Sequence, residues 1–243
     1  MQQRIDSQHD LILTMAMKDL KVLDRIPIEL DTTEVLQTLE SRTRKISEEL
    51  IPLMGEAQSI LEPKAVYSVL PVVELCDDQV RLSDGRALRS IVLADMLDAG
   101  QEIVPYVITV GPRLEERAHA DKNLLRTYLL EKIADHALGK ACEYLKSYTA
   151  KKLGHIISEF SPGSGTGELF AIEQQQVLFN ILEPTKNVGV QLTSSYMMVP
   201  RKSVSGIFAA TREEYVSCAH CPRQCGSRKR PYKGKYQRSR IVK

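Results

Sequence analysis

Tryptophan is absent from this chain of 243 residues, and aromatic residues of all kinds make up only 5% of it. Its core must therefore rest on Leu, Ile, Val and Ala, and no indole is available to stack on a base. No apolar run approaches the ~18 residues that a membrane-spanning helix needs. The opening MQQRIDSQHDLILTMAMKDLKVL lacks the charged start, continuous apolar stretch and small-residue cleavage site of a secretion signal. A cytoplasmic protein without membrane attachment is the expectation. Charge of one sign is lacking too: 33 bases against 31 acids leave a formal +2, too little for a global field that draws in nucleic acid. Neither a Ser–His–Asp arrangement nor paired carboxylates can be argued from spacing, so no catalytic residue is named.

What is present suits a globular protein, with 43% hydrophobic and 26% charged residues. The length fits one large domain or two small ones. Leu11, Ile12, Met15, Leu20 and Leu23 recur at helical spacing and predict a first helix over 8–23. Asp31, with Glu34 three residues on, marks a second helix start, and Ile46, Leu50 and Met54 continue the pattern toward Gly55. Residues 65–73, 80–82 and 103–110 read as strands, with a turn at 83–86. A long helical region follows over 114–153, then a helix over 172–182 and strand-like pieces at 188–193, 196–199 and 203–210. Strands and helices mix without regular βαβ alternation, which predicts an α+β fold. The chain divides on this reading into an N-terminal helical segment (1–60), an α+β core (61–215) and a Cys-rich basic tail (216–243).

Three features could carry chemistry. The glycine loop Ser161-Pro162-Gly163-Ser164-Gly165-Thr166-Gly167 lets backbone N–H groups approach a ligand, yet no Lys-Ser/Thr pair follows it, and a plain flexible connection reads equally well. Cys218, Cys221 and Cys225 have the spacing of three metal ligands, for zinc or an iron–sulfur cluster, with His220 or His155 as a fourth. Redox thiols and unliganded cysteines are the alternatives, since there is no second Cys-x-x-Cys. The segment 194–206, SSYMMVPRKSVSG, reads by composition as strand, turn and strand with Met as core filler. From Arg223 onward the chain is basic without a single acid. It reads as a disordered solvated tail or as an arm for an acidic partner. The lone His9, His119, His136 and His155 have no partners that spacing can place.

LTSSYMMVPRKSVSG (192–206) resembles a stretch near the end of the activation domain of cobalamin-dependent methionine synthase, where Leu-Thr-Glu-Ser, an aromatic, Met and Pro precede Ser-Val-Ser-Gly. The Ser-Pro-Gly loop and the following IEQQQVLFNIL match in kind. So do Ile108-Thr109-Val110-Gly111 with Leu114-Glu115-Glu116, Glu62–Tyr67, and the cysteine cluster with Arg230-Pro231-Tyr232 seen in short free-standing members. The resemblance spans about 26–232. It implies a curved antiparallel sheet with flanking helices and an S-adenosylmethionine groove. It also implies a role in reductive methylation, the reactivation of a corrinoid carried by a partner methyltransferase and reduced by a reductase. The corrinoid must belong to that partner, because no Asp-x-His-x-x-Gly motif occurs here. The resemblance places the S-adenosylmethionine contacts at Asp95, Glu159, Ser161, Pro162, Gly163, Ser164, Gly165, Ser203, Ser205 and Tyr215. Three positions depart from the family: Glu159 stands for its loop Arg, Ser164 for its Tyr and Ser194 for its Glu. A carboxylate at 159 would repel the ligand's carboxylate. The alternative is an accessory protein without S-adenosylmethionine that docks a corrinoid or redox partner through its cysteines and basic tail.

Overall fold

The computed structural model describes residues 20–39, 44–153, 157–226 and 228–239. It opens with strand β1 (Lys21–Leu23) and helices α1 (Thr32–Thr38) and α2 (Arg44–Ile60). Asp31 caps α1 as its spacing predicts, its Oδ1 accepting from the N–H groups of Thr33 (2.7 Å) and Glu34 (3.1 Å). Strands β2 (Lys64–Tyr67), β3 (Leu70–Cys76), β4 (Gln79–Leu82) and β5 (Ala87–Arg89) lead to the short helix α3 (Ile91–Met96). Then come β6 (Glu102–Thr109), helices α4 (Arg113–Ala120) and α5 (Leu124–Leu153), and β7 (Ile157–Phe160). Past the glycine loop lie α6 (Gln175–Leu182), α7 (Pro184–Val188), a hairpin of β8 (Gln191–Leu192) and β9 (Met198–Val199), and β10 (Ser203–Ala210).

Every strand pairing is antiparallel, as the α+β expectation with flanking helices required. β6 is the spine. β10 runs along one side of it, from Ser203 opposite Thr109 to Ala209 opposite Ile103, and β7 lies beyond β10. On its other side β6 takes β2 at 106–109 and β3 at 102–103. Alternation along β6 feeds two cores. Ile103 and Val107 pack with Phe160, Leu178, Ile207 and Tyr215 on one face. Val104, Tyr106 and Ile108 pack with Phe208 and with Ala137, Ala141 and Leu145 of α5 on the other. Both faces are covered, which explains why residues 103–108 read as one apolar run. A third cluster joins α1, α2, α4 and the first half of α5.

Several boundaries differ from the sequence expectation. Residues 21–23 of the expected first helix form β1, because their partner Ala65–Tyr67 offers an open strand edge; Leu11, Ile12 and Met15 lie outside the described residues. Gly55 does not end α2, which keeps Leu50, Leu53, Met54 and Ala57 buried on one face. The expected strand over 65–73 breaks after Tyr67, where Ser68 turns inward and its N–H donates to Pro105 O (3.1 Å). Residues 91–96 coil into α3 behind the cap of Ser90, whose Oγ accepts from Leu93 N–H. The long helical region over 114–153 consists of two helices. Asp121 accepts from Asn123 N–H (2.9 Å), and Asn123 Oδ1 accepts from Leu125 N–H (3.0 Å), which starts α5 afresh. No described helix is long and apolar enough to cross a membrane.

Candidate functional site

β7 sorts the residues named above onto different faces. Phe160 joins the core of α6 and Tyr215, whereas Ile157, two strand positions from Glu159, joins the core under α5. Glu159 thus shares a face with Ile157 and accepts from the hydroxyl of Tyr106 at 2.6 Å. Tyr106 is fully buried and stacks on Phe208 with ring centroids 4.2 Å apart. Burial, and then the neighbouring Glu159, hold its phenol well above the ordinary range. The space for that hydroxyl is made by Gly206. A Cβ there would lie 2.7 Å from Tyr106 Oη, 2.9 Å from Phe160 O and 2.9 Å from Ser161 Oγ. The glycine of the Ser-Val-Ser-Gly segment is a close-approach position, and Glu159 is the acceptor that the approach serves.

Opposite them, on the face of Phe160, lies a second carboxylate. Asp95 sits in the last turn of α3 and is only 5% exposed. Its Oδ2 accepts from Tyr236 Oη (2.7 Å), Ser239 N–H (2.9 Å) and Ser239 Oγ (3.1 Å). Tyr215 stacks on Phe160 at 5.0 Å and meets the ring of Tyr236 edge-on at 6.1 Å. Burial, with Cys218 adding to it, pushes the Tyr215 phenol up to about 12. His220 lies edge-on to Tyr236 at 5.1 Å. Asp95, Tyr215, His220 and Tyr236 form one cluster: a buried acceptor beside aromatic rings.

The glycine loop borders this cluster. Gly163 adopts φ +77° and donates its N–H to Phe170 O (2.8 Å), while a Cβ would meet Ile172 at 3.1 Å. Ser164 N–H donates back to Ser161 O, Pro162 is buried, and Gly165 faces Ser217. Ser90, the cap of α3, donates its Oγ to Leu169 O (2.9 Å), so the helix bearing Asp95 is tied to the end of the loop. The loop is a folded turn leading into a 3-10 turn, Ile172–Gln174, and does not sit directly on the end of α6.

Ser203 and Ser205 belong elsewhere. Ser203 Oγ donates to Thr109 Oγ1 and Pro200 O, and Ser205 Oγ to Gln175 Oε1 (3.2 Å), all internal to the strand and helix packing. The metal reading of Cys218, Cys221 and Cys225 gains no support from the described residues. Among the described residues no group of three His, Cys, Asp or Glu side chains comes together as a metal site. The described cysteines, these three included, are all free thiols, and His220 Nδ1 lies 3.2 Å from Gly234 O instead. His155 falls outside the described residues. The described part of the tail is held in place where disorder was expected. Arg228 spreads its guanidinium over the carbonyls of Cys218, Cys221 and Arg223, and Lys233 N–H donates to Ala219 O (2.8 Å). Sequence reasoning missed Tyr106, Gln175, Tyr236 and Ser239. The signal for Tyr236 was faint, since it is one of two tyrosines, with Tyr232, in a basic tail.

In sequence, the family model of the activation domain of vitamin B12 dependent methionine synthase matches residues 160–226. That stretch is similar in sequence to the activation domain. It holds the glycine loop, α6, β10, Tyr215 and the three clustered cysteines. No curated protein matches the chain in sequence. Among solved structures, a crystal structure of the MetH reactivation domain bound to AdoHcy is similar at a TM-score of 0.59 and 15% identity. The match covers 81% of this chain and 80% of that one. The likeness of fold thus extends well beyond the segment matched in sequence.

Proposed function

We propose that this chain binds S-adenosylmethionine and assists the reductive methylation of a corrinoid held by a cobalamin-dependent methyltransferase of the methionine synthase type. The observation that supports it most is the Asp95–Tyr215 cluster beside the glycine loop, on a fold similar to a reactivation domain that binds AdoHcy. A buried carboxylate next to aromatic rings suits a ligand with hydroxyl or ammonium donors and a cationic centre. The departure at Glu159 does not count against the ligand, because Glu159 faces α5 and serves Tyr106. S-adenosylmethionine supplies a methyl group when bound. The chain's own residues hold it, orient it and exclude water, and none is needed as a nucleophile.

One observation favours the second reading, an accessory protein that docks a corrinoid or redox partner without S-adenosylmethionine: the tail already satisfies Asp95. Mixing the purified chain with a corrinoid methyltransferase, an electron donor and methyl-labelled S-adenosylmethionine separates the two. The first reading expects label on the partner's corrinoid only when this chain is present. Label that appears equally without the chain, or association with the partner but no label, moves the assignment to the second.

A further inference from the structure

Residues 228–239 hold no helix or strand, and most of their side chains are exposed, yet they are fastened along the site. Arg228 donates to Cys218 O (2.7 Å) and Cys221 O (2.8 Å), and Arg230 pairs with Glu214 at 2.9 Å. Lys233 N–H donates to Ala219 O. Tyr236 then enters beside Tyr215 and His220, and Tyr236 and Ser239 place three donors on the one oxygen Oδ2 of Asp95. Resting on the reading above, we propose that this tail is an internal strap that stands in for the ligand at Asp95, and that S-adenosylmethionine binds by displacing it.

The donors match in kind. A phenol, a serine hydroxyl and a backbone N–H occupy Asp95, and S-adenosylmethionine brings ribose hydroxyls and an ammonium group that would take their place. The strap is also built to let go. Among its described residues it adds no strand to the sheet, the ring it brings to Asp95 is the half-buried Tyr236, and Lys229, Lys233, Lys235 and Arg238 are exposed like charges. A site open for only a fraction of the time binds its ligand more weakly by that fraction, so loosening the strap should raise the apparent affinity.

Calorimetric titration of S-adenosylmethionine into the full-length protein and into full-length Tyr236→Ala tests this, with Tyr236→Phe as the variant that keeps the ring. The expected result is binding about tenfold tighter for Tyr236→Ala and intermediate for Tyr236→Phe, the gain coming from a larger open fraction. In the unsubstituted protein, S-adenosylmethionine should also speed tryptic cleavage after Lys235 and Arg238. Equal affinity in all three proteins with unchanged cleavage overturns the strap and leaves the binding reading standing. Weaker binding by Tyr236→Ala overturns it as well, by making Tyr236 part of the ligand site. Binding to none of the three overturns the S-adenosylmethionine reading and the strap together.

Discussion

Two carboxylates, one on each face of the sheet, each accept a hydrogen bond from a tyrosine hydroxyl: Glu159 from Tyr106 at 2.6 Å, and Asp95 from Tyr236 at 2.7 Å. The distances are alike and the settings are not. Tyr106 is on the central strand, its neighbours are locked in register by β10, and Gly206 leaves room for nothing larger than its hydroxyl. Tyr236 is on a segment without strand pairing and reaches Asp95 from 141 residues away. The contrast shows that a short hydrogen bond does not distinguish a permanent contact from an exchangeable one. What distinguishes them is how many other interactions fix the donor. The first pair belongs to the architecture, and the second lies at the proposed ligand site.

The comparison breaks most severely at the packing around Tyr106. Phe208→Ala removes the ring stacked on Tyr106 in a site with no exposure and should cost about 3–5 kcal/mol, read as a lower urea midpoint. Gly206→Ala should cost about 1–3 kcal/mol, since its Cβ meets strand backbone that cannot step aside. An unfolding midpoint unchanged by either substitution would mean the spine is looser than its register implies. Next comes the pair of hydroxyl deletions. Tyr106→Phe strips the partly buried Glu159 of its donor and should destabilise by about 1–2 kcal/mol, whereas Tyr236→Phe should cost less than about 1 kcal/mol because Ser239 still donates to Asp95. Equal losses would erase the distinction between the two carboxylates.

The smallest expected effect lies in the helical cluster. His136 Nε2 is buried with no hydrogen-bond partner among the described residues and stands 3.6 Å from Glu34 Oε2, too far for a hydrogen bond. Burial is the larger influence and lowers its pKa, against the pull of Glu34, so folding favours the neutral ring. The unfolded chain then binds the proton more readily. Stability contributed by the neutral ring is present above the ordinary histidine value of ~6.5 and is lost as pH falls below it. His136→Gln should flatten the fall in urea midpoint between about pH 7.5 and 5.5 by removing this titration; a slope unchanged by the substitution would assign the pH dependence to other groups.

Much of the fold is legible in the sequence where periodicity and burial agree. Residues 103–110 read as a buried strand because both faces of β6 are covered, and Asp31 with Glu34 marks α1 because capping is a local contact. Residues 21–23 do not read as a strand, since only the distant edge at Ala65–Tyr67 makes them one. The site was half legible. Tyr215, Asp95 and the glycine loop come from the resemblance; Asp95, Tyr215 and the loop from Gly163 onward lie toward one face, whereas Ser161 Oγ stays with Tyr106 and Gly206. That Glu159 lies on the other face depends on strand parity and on Tyr106, 53 residues away. The cysteine cluster shows a related limit: spacing brings three thiols near one another in sequence, but among the described residues they form no metal group, and Arg228 and Lys233 hold that segment by its carbonyls.

One titration separates the two carboxylates most directly: S-adenosylmethionine into the wild-type protein, Asp95→Asn and Glu159→Gln in parallel. Assigning the ligand to Asp95 predicts saturable binding by the wild type, a loss of about tenfold or more for Asp95→Asn, and little change for Glu159→Gln. Affinity that falls at Glu159→Gln and holds at Asp95→Asn would put the ligand on the wrong face of the sheet and contradict the account.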